Sequence, residues 1–97
     1  MVGAVVHDLQ SILNGNYLEA KPGVGTEWVI HNIYHANTIT LKVVDSGGNE
    51  CSFFDEADKG LLTNCYIHLT STHYLRIYNT SGGTQYLSYD GIVTLEP

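Results

Sequence analysis

The sequence predicts an all-β chain: a single antiparallel β-sandwich of about eight short strands, with a jelly roll as one arrangement it can take. Apolar and polar residues alternate with a period of two in nearly every segment, which puts successive side chains on opposite faces of a sheet. Turn residues recur at the spacing of a sandwich or barrel. No stretch carries a helical period long enough to cover a sheet. The 97 residues suit one domain, 1–97. A chain of this size buries roughly 65% of its unfolded surface, enough for a modest core.

Residues 9–13 and 17–21 flank Asn14-Gly15, the dipeptide of a type I′ turn, and predict a first hairpin. Pro22-Gly23 and Gly25 then make a loop. Residues 26–35 form the longest strand, with Trp28, Ile30, Asn32 and Tyr34 on one face and Val29, His31, Ile33 and His35 on the other. Both faces are largely apolar, so this strand is expected to be central and covered on each side. Ala36-Asn37 turns the chain into residues 39–43, and Ser46-Gly47-Gly48-Asn49 turns it again before Cys51-Ser52-Phe53-Phe54. Residues 55–60 break the alternation and read as a loop with one helical turn, acidic at its start and closed by glycine. The strand pattern resumes at residues 65–69. Finally, residues 73–78 and 86–89 alternate about the glycine turn Ser81-Gly82-Gly83 and predict a closing hairpin.

Charge narrows the partners. Four basic residues (Lys21, Lys42, Lys59, Arg76) stand against ten acidic ones, for a formal charge of −6. A phosphate-tracking surface needs clustered Lys and Arg, so nucleic acid is not an expected partner. The same shortage argues against docking on an anionic membrane. The opening residues lack the basic n-region and apolar stretch of a signal peptide. Cys51 and Cys65 are too few for a disulfide framework and read as small buried apolar residues of a chain made in a reducing cytoplasm, with a disulfide between neighbouring strands as the weaker reading.

Chemistry-bearing clusters are sparse. His31 and His35 lie four apart, but along a strand that spans about 13 Å, too far for one zinc held at about 2 Å by each nitrogen. A cross-strand site with His68 or His73 is the weaker reading, and no metal or other cofactor is expected. No Gly-x-Ser-x-Gly is present, and both cysteines sit within strand patterns where an inert thiol is the ordinary finding. Asp55, Glu56 and Asp58 lack the spacing of a calcium loop. The chain is therefore not expected to be an enzyme. Its seven tyrosines carry more information, because tyrosine offers large contact area with one wet end and is enriched at interfaces. Cross-strand pairing accounts for about half of them. Tyr74, Tyr78 and Tyr86, with Arg76, are the expected interface residues.

Three stretches, Glu27-Trp28-Val29-Ile30-His31-Asn32-Ile33-Tyr34-His35, then His73-Tyr74-Leu75-Arg76-Ile77-Tyr78-Asn79-Thr80-Ser81-Gly82, then Tyr89-Asp90-Gly91-Ile92-Val93-Thr94, occur in that order. Together they resemble small structural proteins of tailed bacteriophage virions, of the capsid decoration (cement) or minor tail type. The resemblance covers about residues 17–94, and its motifs are structural rather than chemical. It implies a β-sandwich carried in many copies on the virion, assembled in the host cytoplasm. It also implies a homotrimer bound to the major capsid protein or other virion proteins. A tail-tip adhesin binding a host glycan is the alternative it allows.

Overall fold

A computed structural model describes residues 1–56, 60–62 and 66–97. It contains two antiparallel sheets packed face to face, and the all-β expectation holds. The strands are β1 (Val5–Ile12), β2 (Tyr17–Ala20), β3 (Glu27–His35), β4 (Ile39–Asp45), β5 (Glu50–Glu56), β6 (Gly60–Leu62), β7 (Ile67–Leu69), β8 (His73–Asn79) and β9 (Gln85–Leu95). One sheet has the order β1-β9-β3-β6, with β7 also paired to β3, and the other has the order β2-β8-β4-β5. β6 and β7 pair with successive parts of β3, so they share one strand position. With that position counted once, the order is that of a jelly roll, a double sheet of two four-stranded layers.

The core sits between the sheets. Ile30, Ile33, Leu87, Tyr89 and Ile12 contribute from one side, and Leu18, Ala20, Ile39, Leu41, Leu75 and Ile77 from the other. Alternation along β8 delivers Leu75 and Ile77 inward while Tyr74, Arg76 and Tyr78 face out, as the sequence predicts.

Both predicted terminal hairpins are corrected. Asn14-Gly15 does turn the chain, with Gly15 at φ 85°, but β1 pairs with β9 and β2 pairs with β8. The turn therefore crosses from one sheet to the other. The same is true of residues 79–85: β8 pairs with β2 and β4, while β9 pairs with β1 and β3. The physical reason is that a period of two gives each strand one buried face without saying whether the next strand lies beside it or across the core. The expected β4–β5 hairpin through Gly47-Gly48 is present.

Three smaller corrections follow. β3 is central, but a bulge between Ile30 and Asn32 shifts its phase, so Ile30 and Ile33 share the core face while Tyr34 is exposed. An extra residue in one strand does this without changing composition. Asp55 and Glu56 continue β5 as extended chain rather than opening a loop; the remainder of the expected helical turn, Ala57-Asp58-Lys59, lies outside the described residues. Cys51 is exposed rather than buried, and Cys65 lies outside the described residues.

Candidate functional site

The outer faces of the two sheets differ in kind. On the β2-β8-β4-β5 sheet, the ladder aligns Tyr17 with Tyr78 and Glu19 with Arg76. It also aligns Lys42 with Arg76. The Tyr17 and Tyr78 rings lie 5.0 Å apart. The Arg76 guanidinium stands 4.3 Å from the Tyr17 ring centre, Lys42 Nζ 4.4 Å from that of Tyr78, and Lys21 Nζ 4.6 Å from that of Tyr74. Cations at these separations are attracted by the ring quadrupole. Arg76 also donates from Nε to Glu19 Oε1 at 3.2 Å and from Nη1 to Glu50 Oε2 at 2.8 Å. Glu50 accepts a further bond from the Tyr78 hydroxyl and lies 3.7 Å from Lys42 Nζ. Lys21, Lys42 and Arg76 are three of the four basic residues in the chain.

Those bonds set the charge states. Hydrogen bonds from Tyr78 and then Arg76 hold the Glu50 carboxyl below its ordinary range. Burial opposes the Arg76 charge, but Glu50, Tyr78 and Glu19 outweigh it and raise its pKa. Tyr78 is pushed up by burial and by its bond to Glu50. A carboxylate with a depressed folded pKa contributes stability above its unfolded pKa, and that contribution is lost as pH falls through the folded one. Stability should therefore decline on acidification below about pH 4, and Glu50→Gln should flatten that slope. Urea midpoints across a pH series measure it; identical slopes would show that Glu50 is unbonded in solution.

The opposite face, on β1, β9 and β3, is open. The β1–β9 register sets His7 beside Asp90, Leu9 beside Ser88 and Ser11 beside Tyr86. Val5, Leu9 and Tyr86 are 68%, 64% and 66% exposed, and Tyr34 is exposed too. Its one firm polar feature is Asp90, which accepts from Asn32 Nδ2 and from the Tyr34 hydroxyl, both at 2.7 Å. The bond to Asp90 is also the main reason the Tyr34 pKa is raised.

The four expected interface residues thus divide. Tyr74, Tyr78 and Arg76 lie together on one sheet, where Tyr74 is 6% exposed and cations cover ring faces. Tyr86 lies alone on the other sheet. Leu9 and Val5, which join Tyr86 there, were missed; their signal was two apolar residues, alternating with His7 and Ser11, at the outward positions of β1.

A third cluster closes one end of the sandwich. Asn79 is 0% exposed, and Gln85 and His35 are also buried. Asn79 Nδ2 donates to the carbonyls of Ile12 and Gly83 at 2.7 Å each, and its Oδ1 accepts from Ser81 and Gln85. Gln85 Oε1 accepts from the backbone amides of Ala36 and Asn37. The two amides thereby fasten the β1–β2, β3–β4 and β8–β9 connections, each of which crosses between the sheets at this end. His35 Nδ1 bonds the Asn37 carbonyl at 2.9 Å. His68 instead pairs with Glu27 across β3 and β7, and among the described residues no group of His, Cys, Asp or Glu is placed to hold a metal.

Fold and faces together define a jelly-roll scaffold with one self-bonded outer surface and one open surface that exposes Val5, Leu9 and Tyr86. No protein-family model matches the chain, and no curated protein matches it.

Proposed function

We propose that the chain is a structural protein of a bacteriophage virion, a capsid decoration protein that binds the assembled shell. Its role in this reading is docking rather than catalysis. The observation that carries the docking role is the open face of β1, β9 and β3, with Val5, Leu9 and Tyr86 each about two-thirds exposed. Leu9 and Tyr86 lie diagonally across the β1–β9 ladder, within reach of one another, and tyrosine is enriched at interaction sites. The phage assignment rests on the resemblance of the three stretches above; jelly rolls occur in viral capsid and lectin domains alike, so the fold is compatible with it by analogy only. The partner is the major capsid protein or another virion protein, and many copies on one shell let modest contacts give firm retention.

The test is co-sedimentation of the purified protein with undecorated particles. Wild type should pellet with the shell, and Tyr86→Ala should weaken binding roughly tenfold, the effect of losing one anchor worth about 1.4 kcal/mol. Tyr78→Phe, on the self-bonded face, should lower stability and leave occupancy unchanged. No binding to shells, with binding to glycans on an array, would replace decoration by the adhesin reading.

A further inference from the structure

We propose that β1 is a self-association edge that pairs antiparallel with β1 of a second copy, about a two-fold axis through Leu9. β1 ends its sheet, and among the described residues only β9 pairs with it. Two bonds show which way its backbone groups point. Ser88 Oγ, on β9, donates to the Asp8 carbonyl at 2.7 Å. Leu9 N donates instead to its neighbour's side chain, Asp8 Oδ1, at 2.9 Å. Even-numbered residues thus turn their backbone groups toward β9, and odd-numbered ones turn theirs to the open edge, because the direction alternates along a strand. An edge with unpaired amides and carbonyls is a template for another strand.

The sequence of the edge says which strand fits. Val6-His7-Asp8-Leu9-Gln10-Ser11-Ile12 reads apolar, polar, polar, apolar, polar, polar, apolar in either direction. Laid antiparallel on a second copy about Leu9, it sets Val6 against Ile12, His7 against Ser11, Asp8 against Gln10, and Leu9 against Leu9 of the second copy. Every opposed pair matches in polarity, and each residue stays on its own face. Sliding one copy to the next face-preserving register in one direction would oppose the two Asp8 carboxylates, and like charges directly opposite destabilise a sheet; in the other direction it would set Asp8 against Ile12 and Leu9 against Ser11, losing the match in polarity. An odd shift would move every apolar residue to the wrong face.

The pairing also conserves bonds already present. In one copy Gln10 Nε2 donates to Asp8 Oδ2 at 2.8 Å; across the axis the same two side-chain types stand opposite each other. Leu9 N exchanges its Asp8 side-chain acceptor for the carbonyl of Leu9 in the second copy. The open faces of the two copies then join into one surface carrying both Tyr86 side chains. The pairing stands on the edge itself and holds whatever the joined face binds.

Sedimentation equilibrium across a dilution series tests it, with a concentration-dependent dimer expected. Leu9→Pro removes only an outward-facing donor, and proline is tolerated on edge strands. It should weaken the dimer at least about tenfold, since both donors at the axis are lost. Should that variant misfold, a register probe replaces it: Leu9→Cys in a Cys51→Ser, Cys65→Ser background. Opposed residues exchanging both bonds sit with Cα atoms about 5.5 Å apart, within disulfide range. Mild oxidation should therefore give a covalent dimer at position 9 and none for Val5→Cys. A monomer at every concentration, a trimer, or cross-linking at position 5 in place of 9 would overturn the proposal.

Discussion

Replacing Asn79 by Ala should destabilise the protein by about 3–5 kcal/mol, because several groups lose a partner at once. The carbonyls of Ile12 and Gly83, the Ser81 hydroxyl and the Gln85 amide would each lose this bond, although Gly83 keeps Ser81 Oγ and Gln85 keeps the Thr38 carbonyl. Each lost bond costs about 0.5–1.5 kcal/mol. Asn79→Asp keeps the acceptor for Ser81 and Gln85 but loses both Nδ2 donors, and it adds a buried charge, so it should be no milder. Gln85→Ala removes another member of the same network. The Asn79→Ala, Gln85→Ala double variant should therefore lose less than the two single losses added. Urea unfolding of the four proteins measures this; additive losses would mean that the three crossings are held independently.

Gly91→Ala should cost at least about 3 kcal/mol, or prevent folding, for a different reason. A Cβ there would overlap the Val29 carbonyl oxygen and sit 2.9 Å from the Ile30 Cα. Both atoms belong to backbone, so no side chain can swing aside. The close approach coincides with the β3 bulge next to Ile30, a place where glycine admits a neighbouring strand. Gly83→Ala provides the control, since nothing lies within 4 Å of its Cβ position, and its melting temperature should stay within a few degrees of wild type. A Gly91→Ala protein as stable as wild type would show that β3 and β9 stand further apart there.

The Asn79 cluster was partly legible. Leu75, Ile77 and Asn79 share one phase of β8, and Gln85, Leu87 and Tyr89 share one phase of β9. The alternation thus places two amides on the buried side, where polar groups need partners. The partners themselves are carbonyls and amides of residues 12, 36, 37 and 83, which no spacing rule brings together. The expected interface divided for a related reason. Tyr78 and Tyr86 are close in sequence, yet the chain between them crosses the core, so their outward faces look in opposite directions.

By itself the sequence determined the fold class, most of the strands, and which side of β8 is buried. Period-two alternation reports a local fact, the side of the strand on which apolar groups lie. Neighbours across the sheet and across the core are non-local, and only the tertiary structure decided them. It turned two apparent hairpins into sheet crossings and moved the phase of β3 at a bulge. It also left β1 at an edge, where its self-complementary sequence has an open side to pair with.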